Sequence, residues 1–327
     1  MLKILNPIGT PDSQRTTVIW NNGNPQQLKI NFEGTNSLVS LIDQQRYRVL
    51  PITFGGRHPK QIVPEDADIV VNSVCDPDTN AIALHQLEST LNNLELPVIN
   101  PPDLTFQTTR EQTYSRLHGI PGLRVPKTVR VAPQRVAEIP GLIAENGLEY
   151  PYIFRSAGEH GGGGMVLVES EQDLPKLERF AFDGREFYAI AFHDFRDEDG
   201  LYRKYRLVVI DGRVYPRHLI VSKSWNIHSQ TRKELMNDSQ AFRDEEIAFL
   251  ASPPARLGET CRLIHEKLPL DFFGIDCHLD TEGKMFIFEL NTCMRIVSND
   301  PIPYQAPALD AIREAFNALI ADKAQSH

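Results

Sequence analysis

GIDCHLDTEGKMFIFELN, residues 274–291, decides how the rest of the chain is read. Two apolar runs flank DTEGK at 280–284, whose turn chemistry folds them into an antiparallel hairpin. Strand side chains alternate, so Glu289 and Asn291 point one way while Phe288 and Leu290 point the other. Such a pair is either the polar outer face of an edge strand or, as two oxygen-bearing side chains on a rigid support, half of a magnesium site. Asp276 precedes Glu289 by thirteen positions, a spacing that brings both to the open end of the hairpin. Asp276, Glu289 and Asn291 then converge as hard oxygen ligands for one or two Mg²⁺ ions.

Upstream, GEHGGGG at 158–164 needs a reason, because glycine loses more conformational freedom on folding than other residues. A Walker A loop would require Gly-Lys-Ser/Thr leading into a helix, and a dinucleotide fingerprint also opens a helix. Here the strand-like MVLV follows instead. A glycine-rich hairpin can fold over a polyphosphate and offer it backbone N–H groups; the alternative is a flexible tip with no ligand. Arg155, at the end of the strand entering the loop, favours the phosphate, since a guanidinium there grips phosphate oxygens. A phosphate cradle and a magnesium site together point to nucleotide chemistry.

The wider chain is compatible with this. Its 327 residues are 41% hydrophobic and 24% charged, enough for a large core in two or three lobes. A net charge of −9 and a pI near 5.6 argue against a nucleic-acid-binding protein with a broad basic surface. No apolar stretch approaches twenty residues, so no membrane span is expected, and the N-terminal apolar segment is too short for a signal peptide. Cys75, Cys261, Cys277 and Cys293 show no CxxC spacing; free thiols in a reducing cytoplasm are the expectation.

Strands are predicted at TTVIW (16–20), YRVLPITF (47–54), ADIVVNSV (67–74) and LPVIN (96–100), with a helix over 80–94, which makes a small unit with a parallel sheet. LTFQTTREQTYSRLHGI reads as one helix, and EQDLPKLERFA as another. The Asp-Gly pairs at 199–200 and 211–212 mark hairpin turns in a strand-rich second half, and the chain closes on a helix.

This order of parts resembles the ATP-grasp superfamily over nearly the whole chain. The subgroup it looks most like is glutathione-synthetase-like and ribosomal-protein glutamate-ligase-like. The resemblance implies an α/β (α+β) architecture, with a Rossmann-like pre-ATP-grasp domain at 1–102 followed by a two-lobed ATP-grasp domain. One lobe, 103–186, carries the glycine-rich lid, and the C-terminal lobe, 187–327, carries the magnesium site. Arg110 in TTREQ matches the first phosphate-binding cation and Arg155 the second, where most of the family has Lys. Gly161, Gly162, Gly163 and Gly164 match the lid, and Asp276, Glu289 and Asn291 the ligands of Mg²⁺, or of Mn²⁺ in its place. Tyr188 to Asp194, and Ala191, Phe192 and Asp194 in particular, match the hinge that meets adenine, although no Gln-Glu pair stands there. Arg206 matches the arginine beside the transferred phosphate, so Arg206 and Arg155 are the catalytic candidates.

The implied activity is an ATP-dependent ligase. It would phosphorylate a small-molecule or peptide carboxylate, let an amine attack the acyl phosphate to form a C–N bond, and release ADP and phosphate. Two alternatives stay open: a phosphotransferase or carboxylase on the same site, and a nucleotide-binding module without catalysis. After Asn291 the family pattern stops, because Thr-Cys-Met-Arg stands where relatives carry small residues and Pro-Gly. His218, Lys223, Trp225, His228 and Arg295 are the substrate-pocket candidates, against the plainer reading of His218 as a sheet histidine and Trp225 as a packing anchor. A homodimer is implied at family level only.

Overall fold

The computed structural model describes residues 1–20, 28–36, 38–56, 67–228, 231–292, 294–298 and 301–325. Its first unit contains β1 (Leu2–Gly9), a ribbon of β2 (Thr17–Trp20) and β3 (Leu28–Asn31), then β4 (Tyr47–Phe54), β5 (Ile69–Val71), α1 (Ala81–Leu91) and β6 (Val98–Ile99). The main sheet runs β4-β1-β5-β6, and every pairing in it is parallel. Its central strand, β1, was not among the expected strands. Pro7 and buried Asn6 disguise it, because proline is disfavoured inside a sheet. Asn6 is accommodated by donating its amide to Val71 O and Ser73 Oγ at 2.9 and 2.7 Å. TTVIW does form a strand, but it pairs with Leu28–Asn31 outside the main sheet.

The middle of the chain contributes α2 (Pro102–Thr105), α3 (Arg110–Leu117), β7 (Leu123–Arg124), β8 (Thr128–Val131), α4 (Ile139–Glu145), β9 (Tyr152–Ser156), β10 (Val166–Val168) and β11 (Phe187–Ala191). The single helix expected over this start is broken. Thr105 and Thr108 hydroxyls bond to the Pro101 and Thr105 carbonyls, and Thr109 is extended with ψ 154°. The break makes Arg110 the first residue of α3. Strands β10-β9-β11-β8 form an antiparallel sheet over the core of Ile139, Ile143, Phe154 and Phe187. Residues 171–179 form the expected helix, of 3-10 type, with Pro175 inside it.

The last stretch supplies β12 (Tyr202–Ile210), β13 (Arg213–Ser222), α5 (Thr231–Leu235), α6 (Gln240–Ala251), α7 (Arg256–Lys267), β14 (Phe272–Leu279), β15 (Met285–Asn291) and α8 (Ala306–Gln325). Their sheet runs β13-β12-β14-β15, and β7 joins its edge in parallel. Asp211 and Gly212, at φ 48° and 72°, make the tight hairpin turn between β12 and β13. Asp199-Gly200 is also a turn, but not a hairpin: β11 pairs with β8 and β9, whereas β12 pairs with β13 and β14. Helix α7 covers one face of the sheet through Leu257, Cys261 and Ile264. Helix α8 packs Ile312, Phe316 and Ile320 between Ile4 and Ile69 of the first unit and Val208 and Phe272 of the last. Each such side chain, fully buried, contributes about 1.5–3 kcal/mol, so α8 ties the two units together.

Parallel and antiparallel sheets thus combine in one mixed α/β chain, as the sequence implied. The cysteines differ from expectation. Cys261 and Cys277 are free and buried, but Cys75 is disulfide-bonded, and Cys293 lies outside the described residues. Sequence separation hid this, since folding carries Cys75 to the end of β15, where Thr292 Oγ1 donates to Cys75 O at 3.0 Å. The thiol argument for a reducing compartment loses its premise. Among the described residues, no helix is long and apolar enough to cross a membrane.

Candidate active site

A cleft of about 990 Å³ opens between the β9–β11 sheet, the β12–β15 sheet and the first unit. Its floor carries a polar row. Register pairs His218 with Arg206, Arg206 with Asp276, and Asp276 with Glu289, from β13 across to β15. Directly opposed residues on neighbouring strands share a face, so the row follows from pairing alone. Arg206 grips Asp276 with two bonds, Nε to Oδ1 at 2.7 Å and Nη2 to Oδ2 at 2.9 Å. Lys204 adds a third at 3.1 Å. Sequence reasoning did not single out Lys204; its signal was the two-residue spacing from Arg206 on one strand. Burial pushes the Asp276 carboxyl up, but Arg206 and Lys204 outweigh it and hold the group below its usual range.

One feature of β15 departs from simple alternation. After Asp276 faces Glu289, Cys277 faces Ile287, so Phe288 is the extra residue of a β-bulge. Phe288 therefore joins Glu289 and Asn291 in the cleft, while Ile287 and Leu290 go to the core. This corrects the expectation that Phe288 faces away. Asn291 is 8% exposed, and its Oδ1 has no hydrogen-bond partner among the described residues. Among those residues, no group of three His, Cys, Asp or Glu side chains is arranged around a metal position. The expected set consists of two carboxylates and this carboxamide, and both carboxylates are engaged by cations.

The opposite wall brings those cations. Arg110, at the start of α3, donates Nη2 to Glu289 Oε1 at 2.6 Å and Nη1 to Phe288 O at 3.1 Å. Arg155 on β9 is 4% exposed and donates to the carbonyls of Glu159 and Gly161. Its Nε has no partner among the described residues. Burial, reinforced by the neighbouring Arg110 charge, brings the Arg155 guanidinium down to about 10. His160, at the loop tip, was missed by the sequence reading. Its Nε2 lies 2.9 Å from Asp76 Oδ2 and its Nδ1 lies 3.5 Å from Glu289 Oε1. Burial opposes the imidazolium, yet the two carboxylates raise His160 to about 10. Burial likewise disfavours ionised Glu289, but Arg110, then His160 and Arg155, keep its carboxyl well below the usual range.

Of the lid glycines, Gly161 lines the cleft. Gly162 O accepts from Asn226 Nδ2 at 2.9 Å, and Gly163 O accepts from Arg179 at 3.3 Å. Gly164 lies against the Glu159 carboxylate, which a Cβ there would strike.

An aromatic end of the cleft lies along β15, where Phe195 meets Phe288 with ring centroids 4.5 Å apart and Phe286 meets Phe288 at 5.4 Å. Ala191 and Phe192 line it, although their N–H groups already donate to Lys127 O and Pro151 O. Asp194 does not line it: the side chain is exposed and chelated by Arg196. Trp225, His228 and Arg295 line the cleft, and Trp225 packs edge-on against Phe192 at 5.5 Å. The exposed Lys223 does not. His218 ends the polar row without lining the cleft, and burial together with Arg206, Arg217 and Lys204 keeps its imidazole well below the usual value, hence neutral.

No family model and no curated protein matches the sequence. Solved structures do match. A D-alanine–D-alanine ligase from Bacillus anthracis superposes with TM-score 0.57 at 12% identity, over 100% of this chain and 98% of that one. A RimK domain protein ATP-grasp from Sphaerobacter thermophilus gives 0.55 at 14% identity, over 98% of this chain and 99% of that one. The chain has the ATP-grasp fold. A third likeness is to carboxyaminoimidazole ribonucleotide synthase from Aspergillus clavatus, complexed with ATP, at TM-score 0.50 and 14% identity, over 91% of this chain and 71% of that one. At these identities the likeness concerns the fold alone.

Proposed function

We propose that the protein is an ATP-dependent ligase that joins a carboxylate to an amine through an acyl phosphate. The observation that supports it most is the meeting of two walls at Glu289: Arg110 and His160 from one side, the Arg206–Asp276 pair and Asn291 from the other. In a chain of net charge −9, the cleft gathers Arg110, Arg155, Lys204, Arg206 and Arg295. That concentration suits a triphosphate and a second anion.

On this reading the base stacks against Phe195 and Phe288, and Arg110 and Arg155 neutralise the phosphates. The donor set fits Mg²⁺: Asp276 and Glu289 oppose one another, and Asn291 Oδ1 is a buried oxygen in want of a partner. When bound, the ion supplies charge neutralisation at phosphate oxygens; Asp276, Glu289 and Asn291 would hold it. Arg206 then stabilises charge as the γ-phosphoryl group passes to a carboxylate oxygen. The amine attacks the acyl carbon, loses a proton, and expels phosphate with that oxygen. Positioning and fixed charge carry such a transfer, and no protein nucleophile is required. The substrates are read as small-molecule or peptide acids and amines, met on the side of Trp225, His228 and Arg295.

The test is twofold. Calorimetry should show Mg²⁺-dependent ATP binding, and a screen of acids with amines should show ADP release with a condensed product by mass. Absence of nucleotide binding overturns the reading; a phosphorylated product without condensation makes the protein a phosphotransferase.

A further inference from the structure

His160 reaches across the cleft to a post built into the first unit. Asp76 is 5% exposed, and its carboxylate is already fixed by the Asp78 N–H on Oδ1 at 3.0 Å and the Thr79 hydroxyl on Oδ2 at 2.9 Å. The Asp76 N–H in turn donates to Gly34 O at 3.2 Å. The loop is seated on the same turn at Gly158, whose φ is +75° and whose Cα is so close to Thr79 that a Cβ would lie 2.6 Å from Cγ2. The loop tip is therefore placed by a preformed surface, and the imidazole has a fixed direction.

With Nε2 on Asp76, Nδ1 faces Glu289. The order along β15 gives that direction meaning. Phe286 and Phe288 come first, then Glu289, then Asn291, and beyond it Asn36 of the first unit donates to the Thr292 and Met294 carbonyls. A nucleotide with its base on the aromatics runs its phosphates toward the first unit, so His160 meets it at the far end. A loop that only covered the phosphates would need its backbone N–H groups and no histidine.

We propose that His160 binds the terminal phosphate of the nucleotide through Nδ1–H, and that Asp76 is the positioning residue that fixes the ring through Nε2. The inference rests on the reading of the cleft as an ATP site. On binding, a phosphate oxygen takes the place of Glu289 at the fixed Nδ1–H, which also leaves that carboxylate open to a cation.

Calorimetry on the full chain with Mg²⁺ and either a non-hydrolysable ATP analogue or ADP tests it. Glutamine reaches the Nε2 position and keeps the Asp76 bond, but has nothing at Nδ1. His160→Gln should weaken the triphosphate analogue about tenfold and leave ADP within about twofold, the size of a hydrogen bond to a charged group. Asp76→Asn should weaken the triphosphate analogue less, again without affecting ADP. If His160→Gln matches wild type with both nucleotides, or loses both equally, His160 is a structural latch and the proposal fails. If the wild-type protein binds neither nucleotide, the ATP-site reading itself fails and takes this inference with it.

Discussion

The strand wall and the loop wall of the cleft hold their charges by different means. On β12, β14 and β15, Arg206, Asp276 and Glu289 are set by sheet register, and each neighbour in the row is one strand away. On the loop wall, His160 depends on Asp76, 84 positions earlier in the chain. Arg155 stands on β9 at the root of the loop and donates to the carbonyls of Glu159 and Gly161 within it. A sheet keeps its charges in place whether or not a ligand is bound. A loop keeps them only while it is seated on another unit, as His160 is on Asp76.

Glu289 is where the walls meet, and changing it should have the largest effect. Glu289→Gln keeps the shape of the side chain but removes the charge that Arg110 and His160 share. Turnover, read as ADP release with the acid and amine that the screen identifies, should fall by roughly 10³-fold. The thermal midpoint should move by no more than about 2 °C, as for a loss near 1 kcal/mol in a chain of 327 residues. Full activity in this variant would show that the two walls do not converge on a functional carboxylate.

The same contrast explains how much the sequence disclosed. The hairpin with Asp276, Glu289 and Asn291 was legible because its information is local: a turn between two apolar runs. Even there, the extra residue at Phe288 was invisible, since a bulge is set by the partner strand. Arg110 was expected inside a longer helix, and threonine side chains competing for the backbone put it at a helix start instead. The Asp76–His160 contact had no local signature, because loop and post lie in different units. The same holds for the bonded state of Cys75. β1 was hidden by Pro7 and Asn6 in a strand that is buried at the centre of its sheet.

Two neighbouring glycines of the loop wall should differ in their effect, and both effects are smaller. A Cβ on Gly162 would strike Asn226 Oδ1 and come within 3.0 Å of His228 Cδ2, whereas Gly163 has nothing within 4 Å. Gly162 also holds Asn226 through its carbonyl at 2.9 Å. Gly162→Ala should therefore unseat the loop at a cost of about 1–2 kcal/mol, read by calorimetry as roughly tenfold weaker Mg·ATP binding. Gly163→Ala should stay within about 0.5 kcal/mol of wild type. Equal losses at both positions would mean that the loop gains nothing from Asn226, and that its wall is organised from the Asp76 side alone.

The smallest effect is expected at Asp194, and it locates the edge of the loop wall. The hinge resemblance put this residue beside adenine, but in the structure its exposed carboxylate is held by Arg196, with side-chain exposures of 43% and 56%. An exposed pair of this kind contributes about 0–1 kcal/mol. Its neighbours behave differently: His193 and Phe195 both line the cleft, and Phe195 packs against Phe288. Asp194→Ala should thus leave Mg·ADP affinity within about twofold, in the range of surface substitutions. A tenfold loss would show that the base extends round the segment to its outer side. The aromatic contacts of Phe195 and Phe288 would then no longer define where the nucleotide begins.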